Sequence, residues 1–326
     1  PDFNGMDQAG CGYYQFTQNN GRRWSTASAY LTPARSRPNL TIITHAITQR
    51  VLFDGKLATG VEISRRGRKQ TIQGAHVILS GGAVASPQLL EVSGIGDGER
   101  LRTLGIDVVH HAPDVGEHLQ DHLLCKVVYA TQPEHSINRE VQGLRLIPAA
   151  LRWFFLREGP LTTGSAPVGA FCHTRDGLEA PDVQIHFASG GTLYNDAGKI
   201  RALEQPAVTA VVNQSRPESR GSIHAKSTDI ADAPVIAANY LSSQLDRDTL
   251  LRGMRILLNI FDQSELQPYL NGRLSPDVET DLNDDEALMA YIRREASTVY
   301  HPTSTCSIGK VVDETLHVMG VEGLSV

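Results

Sequence analysis

Two long stretches of the chain repeat apolar residues at helical spacing. The first, residues 245–261, carries its apolar positions at Leu250, Leu251, Met254, Leu257, Leu258 and Phe261. This stripe is typical of a helix with one face in the protein core. The second, residues 284–295, opens with acidic residues and closes with Arg293 and Arg294. Because that charge order suits the dipole of a helix, we predict a second helix there.

Shorter runs rich in β-branched residues predict strands. We place these strands at residues 40–44, 47–53, 58–64, 208–213 and 221–225. Between the second and third of them, Asp54-Gly55 predicts a hairpin turn. The 208–213 run has little alternation of polar and apolar residues, so we expect that strand to be buried.

Residues 77–96 combine a strand pattern, a glycine turn and a helix pattern. The apolar run 77–79 predicts a strand buried on both faces, and Ser80-Gly81-Gly82 follows it. Ser86 then predicts a helix N-cap, with Pro87 at the first helical position and Gly94 at the end. This arrangement suits a phosphate or dinucleotide bound in a doubly wound sheet. An ordinary strand-to-helix turn has the same pattern, and a G-x-G-x-x-G motif is absent.

The remaining patterns are weaker. Residues 1–38 predict mostly loop with a short helix near residues 25–31. Residues 141–157 are apolar with interspersed arginines and contain Pro148, which favours a covering helix over one that lies on a membrane. No apolar run approaches the roughly 20 residues that span a bilayer, so we predict no transmembrane segment.

Composition narrows the possible functions. With 326 residues the chain is long enough for two domains, and its net charge of -6 provides no basic field for nucleic acid. The four cysteines show no metal-ligand spacing, so we predict no metal site. We expect a reducing, cytoplasmic setting, with peripheral membrane association as the alternative that residues 141–157 leave open.

The best catalytic candidate is His301, within Tyr-His-Pro just after the helix predicted at residues 284–295. An imidazole can take up and return a proton near neutral pH, and Pro302 biases His301 toward an extended backbone. Most histidines, however, are surface or structural groups, and the chain has 12 of them. Cys306 lies nearby as a candidate nucleophile, although a small buried thiol is the commoner case.

The run from Gly82 to Gly96 resembles the second signature of the glucose-methanol-choline (GMC) oxidoreductases. The matching positions are Gly82, Ala83, Ser86, Pro87, Leu89, Leu90, Ser93, Gly94, Ile95 and Gly96. The resemblance continues through residues 23–27, 115–122, 159–162, 181–187, 216–221 and 239–240. It therefore covers nearly the whole chain.

This resemblance implies roles for individual residues. His301 matches the family's Tyr-His-Pro histidine, which takes the hydroxyl proton of an alcohol while the hydride passes to the flavin of FAD. Thr48 matches a strand position whose backbone holds the adenine, and Ser80, Gly81 and Gly82 would lie near the ribityl chain. His186 falls where the substrate domain of similar proteins faces the flavin, and a structural strand histidine is the alternative there.

Four positions depart from the family pattern. Thr48 stands where valine is usual, Ser304 where glycine is usual, Ile308 where methionine is usual, and His118 where asparagine is usual. The family's second catalytic residue would fall beyond Val326, and the N-terminal G-x-G-x-x-G is absent. We therefore expect a fragment of a longer flavoenzyme, inactive by itself.

The resemblance also implies a fold and a reaction. We expect a mixed α/β fold with part of a doubly wound FAD-binding domain at residues 1–122. A substrate domain with an antiparallel sheet backed by helices would follow at 123–296, and the chain would return to the FAD-binding domain at 297–326. The expected reaction is oxidation of a small alcohol, choline-like or aliphatic, with oxygen or a quinone as electron acceptor. A hydroxynitrile-lyase-type activity and a noncatalytic ligand-binding role are the alternatives.

Overall fold

The computed structural model describes residues 2–194 and 200–326. Its strands in chain order are β1 (Gly10–Tyr13), β2 (Gln18–Asn19), β3 (Arg22–Arg23), β4 (Ala46–Asp54), β5 (Leu57–Arg65), β6 (Arg68–Gln73), β7 (Val77–Ile78), β8 (Ile95–Gly96), β9 (His110–His111), β10 (Leu123–Thr131), β11 (Val168–Cys172), β12 (Val183–Ala188), β13 (Thr192–Tyr194), β14 (Ile200–Ala202), β15 (Ala207–Gln214), β16 (Ser222–His224), β17 (Val235–Ala237), β18 (Leu270–Ser275), β19 (Ser297–Thr298) and β20 (Leu324–Ser325).

The α-helices are α1 (Thr32–Ala34), α2 (Gly82–Val92), α3 (Gly98–Thr103), α4 (Leu146–Leu156), α5 (Gln244–Phe261) and α6 (Asp285–Glu295). A π-helical turn spans Ala27–Leu31, and 3-10 turns span Pro133–His135, Ile137–Arg139, Gly143–Arg145, Pro160–Thr162 and Gln267–Tyr269. Helices α5 and α6 confirm the two clearest periodicity predictions. Within the described ranges, no helix combines the length and apolar character that crossing a membrane requires.

Packing divides the chain into two units, each built from three separate stretches. Unit 1 contains Pro1–Leu40, His122–Arg216 and Gln244–Val299, and unit 2 contains Thr41–Asp121, Pro217–Ser243 and Tyr300–Val326. These units differ in extent from the predicted domains at the first 40 residues and at Pro217–Ser243. The first stretch joins unit 1 because β1 pairs with β11, and Pro217–Ser243 joins unit 2 because β16 packs on α2.

Unit 1 is built on an antiparallel sheet of order β1-β11-β12-β15-β10-β18, with β19 also paired to β10. Strand β15 is central, and its pattern is buried nearly throughout, as predicted for residues 208–213. Helix α5 packs on β15, β10 and β12 with the buried stripe that its sequence predicted. The rings of Tyr129 and Phe261 stack at 4.5 Å across that interface. The antiparallel sheet backed by helices is therefore confirmed.

Unit 2 contains an antiparallel β4-β5-β6 sheet, the parallel pair β7–β20 and the helices α2 and α3. The β4–β5 hairpin confirms the turn predicted at Asp54-Gly55. Its core joins these elements through the following buried side chains: Val51, Ala58, Val77, Leu79, Leu90, Ile95, Val115, Val311, Val312, Val318 and Leu324.

Three local predictions were wrong. Residues 41–44 form no strand, because they carry the chain from unit 1 to unit 2 and have no ladder partner among the described residues. Strand β7 is shorter than predicted, and Ile78 is 69% exposed instead of buried. Helix α2 begins at Gly82, so Pro87 lies inside it and Ser86 is not its N-cap. The Ser86 hydroxyl instead accepts a hydrogen bond from the Gly81 N–H at 3.1 Å.

Candidate functional site

A cavity of about 740 Å³ lies within unit 2. Its lining includes Thr48, Ser80 and Gly81, three of the four residues predicted to contact the cofactor. The fourth, Gly82, follows directly in the chain and has φ +70°, a backbone conformation that favours glycine. The structure therefore gathers the predicted cofactor residues at one place.

The N-terminus of α2 provides backbone donors next to this cavity. Residues Ser80, Gly81 and Gly82 are exposed, and the Ser86 hydroxyl occupies the Gly81 N–H, which leaves the amides that follow it in the helix start. The first N–H groups of a helix have no partner within the helix and favour negative charge. The turn is therefore suited to phosphate or polyol oxygens.

Another part of the cavity lining is a strand edge with apolar neighbours. Strand β4 lies at the edge of its sheet, and its pairing with β5 is irregular between Thr48 and Arg50. Such an irregularity leaves backbone groups out of the ladder. Ile47 and Ile78 are 54% and 69% exposed in the same lining. An apolar wall with backbone hydrogen-bonding groups fits a flat heteroaromatic ring such as adenine, so the residues present fit FAD.

His301 lies in a segment of unit 2 outside the helices and strands, and its side chain is exposed. The segment pairs with a much earlier part of the chain, because Gln120 and Thr303 exchange two backbone hydrogen bonds of 3.0 and 2.9 Å. Two of its residues have left-handed backbone: Tyr300 with φ +63° and Ser304 with φ +77°. Ser304 is the position where the resembling family has glycine, and its φ explains that preference.

The proline inside α2 links this segment to the glycine turn. In a regular helix the N–H of residue 87 would donate to the carbonyl of Ala83, but Pro87 has no N–H. The hydroxyl of Thr305 donates to that carbonyl instead, at 2.7 Å. Thr305 is 1% exposed, and its own carbonyl accepts from the Gly116 N–H at 2.9 Å. The His301 segment is thereby tethered to the start of α2.

A buried carboxylate holds the backbone of His301. Asp121 is 9% exposed, and its Oδ1 accepts a hydrogen bond from the His301 N–H at 2.9 Å. The Tyr240 hydroxyl donates to Asp121 Oδ2. Both residues lie in stretches that resemble the GMC family, but no role could be assigned to them from sequence, because the contacts join residues far apart in the chain.

A second buried cluster fixes the far end of α2. Glu91 is fully buried, and its Oε1 lies 2.8 Å from Nδ1 of His224, whose Nε2 lies 2.9 Å from Glu117 Oε1. Glu91 Oε2 also accepts from the Ala225 N–H. Carboxylate oxygens only accept hydrogen bonds, so each ring nitrogen of His224 faces an acceptor. The cluster joins α2, the loop before Asp121 and the β16–β17 hairpin.

Cys306 lacks the properties of a nucleophile. Burial raises the pKa of its thiol to about 12, with the nearby Glu91 carboxylate acting in the same direction. The thiolate is the reactive form, so this cysteine stays in its unreactive state at neutral pH. Its position against the apolar core of unit 2 favours the packing interpretation.

His118 and His186 occupy different surroundings. His118 has φ +64°, a conformation that asparagine adopts readily, and its Nε2 lies 2.6 Å from Asp114 Oδ1. His186 lies on β12 in unit 1, whereas His301 and the cofactor candidates belong to unit 2. The His186 ring packs against Tyr14 at 5.2 Å.

Tyr14 can cover this part of the sheet only because Gly169 lies beside it. A Cβ at Gly169 would come within 2.1 Å of the Tyr14 hydroxyl oxygen. That hydroxyl donates to the carbonyl of Ile185 and accepts from Gln184 Nε2, each at 3.0 Å. The aromatic neighbour of His186 is thus itself held in place by hydrogen bonds to β12.

Comparison with known proteins gives a consistent result. Two family models, both described as GMC oxidoreductase, match residues 1–124 and 217–326. The chain is 38% identical over 332 residues to the mitochondrial choline dehydrogenase of Mus musculus, covering 100% of the chain and 55% of that relative. It is 40% identical over 333 residues to the oxygen-dependent choline dehydrogenase of Yersinia pestis (strain Pestoides F), covering 100% and 58%. The chain thus spans little more than half the length of these relatives.

A solved structure of a formate oxidase variant from Aspergillus oryzae, described for its FAD modification, has the same fold. It matches with a TM-score of 0.88 and 21% identity, covering 98% of this chain and 60% of that one.

Proposed function

Because the chain belongs to the GMC oxidoreductase family, we propose that the whole protein uses FAD to oxidise an alcohol to an aldehyde or ketone, with His301 as general base. The observation that carries this proposal is the Thr305 to Ala83 hydrogen bond of 2.7 Å. It ties the segment of the candidate base to the turn that carries the candidate cofactor residues. Base and cofactor positions are thus held in one unit.

Each group of residues has a distinct task in this proposal. The amides at the start of α2 and the Ser80 to Gly82 backbone would hold the cofactor chain, and the edge of β4 at Thr48 would hold its adenine. Bound FAD would supply the acceptor for the hydride that leaves the carbinol carbon. The His301 imidazole takes the hydroxyl proton, so the alcohol loses one hydride and one proton in total. We propose His186, on β12 of unit 1, as a contact for the substrate.

We propose choline as the first substrate to test, because the two relatives compared above are choline dehydrogenases. One of them is named as oxygen-dependent, so oxygen is the first acceptor to test, with a quinone as the second. A cytoplasmic location remains the prediction made from the sequence.

The test uses the full-length protein, mixed with choline without oxygen while the visible flavin absorbance is followed. Bleaching of the flavin is the expected result. His301→Ala should lower turnover by roughly 100-fold or more with flavin retained, as expected when a general base is lost. His317→Ala, an exposed histidine of the same unit, is the matched control and should leave turnover unchanged.

Other outcomes would overturn the proposal. Cleavage of a cyanohydrin without flavin reduction would establish the lyase alternative. Bound flavin that neither choline nor aliphatic alcohols reduce would exclude alcohol oxidation. Wild-type turnover of His301→Ala would remove His301 from the base role.

A further inference from the structure

Left-handed backbone recurs around the His301 segment. Eight of the ten non-glycine residues with positive φ in the described chain lie in unit 2, and five of these eight lie in three short segments. These five are His118, Asn239, Leu241, Tyr300 and Ser304. At Leu241, Tyr300 and Ser304 this conformation costs stability and persists only where surrounding contacts hold it, often at functional sites.

One carboxylate connects these three segments. Asp121 ends the segment that contains His118, and its Oδ1 accepts from the His301 N–H at 2.9 Å. Its Oδ2 accepts from Tyr240, whose two chain neighbours, Asn239 and Leu241, are both left-handed. Asp121 is 9% exposed, so water competes little for these hydrogen bonds.

The hydrogen bond from the His301 N–H to Asp121 lies where it can control the direction of the His301 side chain. It holds the N–H of the residue that directly follows the strained Tyr300. The Gln120 to Thr303 pairing holds the chain two residues further on. Between these two hydrogen-bonded points the backbone of His301 has little freedom. The backbone position from which its imidazole projects is therefore fixed.

We propose that Asp121 is a positioning residue for His301, with Tyr240 holding the Asp121 carboxylate in place. This inference rests on the proposed function, because it assigns Asp121 an effect only through the base. Loss of the carboxylate lets the Tyr300 to His301 backbone relax, and the imidazole leaves its productive position. A displacement of about 1 Å at a reacting group can lower a rate by about 100-fold.

The test compares variants of the full-length flavoprotein with choline as substrate. We expect Asp121→Ala to lower kcat by roughly 10- to 100-fold while flavin stays bound and the KM for choline changes little. Asp121→Asn should recover most of the rate, because its amide oxygen still accepts from His301. Tyr240→Phe should give a smaller loss. Ser93→Ala, which removes a buried 2.8 Å acceptor for the Val51 N–H in the same unit, is the matched control and should keep the wild-type kcat.

The double variant Asp121→Ala with His301→Ala separates positioning from general destabilisation. If Asp121 acts through His301, the double variant should be no slower than His301→Ala alone, since effects of coupled residues do not add. Additive losses, or a wild-type kcat for Asp121→Ala, would overturn the inference. A wild-type kcat for His301→Ala would instead overturn the proposed function, so the two failures are distinguishable.

Discussion

The hydrogen bond between Thr305 and Ala83 depends on the proline that interrupts α2, and this dependence can be measured. Thr305→Val keeps the shape of the side chain but removes the donor at 2.7 Å from the Ala83 carbonyl. Because Pro87 has no N–H, that carbonyl then lacks a helical donor as well. We expect a loss of about 1.5 kcal/mol in the free energy of unfolding, the typical cost of a buried hydrogen bond with one partner left unsatisfied.

The same substitution should be milder when residue 87 can donate. In Pro87→Ala, the new N–H can bond to the Ala83 carbonyl within the helix. Thr305→Val in that background should cost only about 0.5 kcal/mol, which leaves a coupling of about 1 kcal/mol between the two positions. The cavity that Pro87→Ala leaves affects both members of the comparison equally and cancels.

Urea unfolding followed by far-ultraviolet circular dichroism is the suitable assay, because both tryptophans, Trp24 and Trp153, lie in unit 1 and do not report on unit 2. Thr303→Val is the matched control, since the structure assigns Thr303 backbone hydrogen bonds and an exposed side chain. An equal cost for Thr305→Val in both backgrounds would refute the proposed link between the proline and the tether.

Three further predictions concern unit 2. Glu91→Leu should destabilise the protein by about 3 kcal/mol or more in urea unfolding, because it leaves the buried His224 ring without one carboxylate partner; a loss below 1 kcal/mol would contradict a satisfied buried cluster. Ser304→Gly should raise stability by roughly 0.5 kcal/mol, since glycine adopts φ +77° without strain, and a lower thermal midpoint would exclude this explanation. With its pKa raised to about 12, the Cys306 thiol should react with iodoacetamide at pH 8 at least about 100-fold more slowly than the exposed Cys11. The reaction of Cys306 should accelerate as pH rises toward that pKa. Equal labelling of both cysteines in the folded protein would disprove the prediction.

Local sequence patterns were sufficient to predict a helix or hairpin where that element carries its own signal. The stripe from Leu250 to Phe261 and the acidic start of α6 at Asp285 predicted their helices because periodicity and end charges are properties of one segment. The Asp54-Gly55 turn predicted its hairpin for the same reason. Resemblance to a family then implied roles for His301 and the glycine turn, and these roles stay predictions.

Sequence reasoning failed where the deciding contact comes from a distant part of the chain. Pro87 inside α2 is tolerated because Thr305, far along the chain, supplies the missing donor to Ala83. The positioning role proposed for Asp121 depends in the same way on its contacts with Tyr240 and His301. Residues 40–44 had a suitable strand composition, but a strand also needs a neighbour, and the described part of the chain provides none.

The interleaving of the two units has a consequence for the order of events during synthesis. Strand β7 pairs in parallel with β20, and Thr305 tethers α2. Unit 2 therefore cannot complete its packing until Thr305 and β20 have been synthesised, long after β7 and α2. While the ribosome adds His122–Arg216, Ile78 and the glycine turn are already synthesised but lack these partners. Such nonlocal pairing folds slowly and exposes apolar surface to aggregation. A nascent chain stalled before Leu324 should therefore bind chaperones, and release of the stall should end that binding.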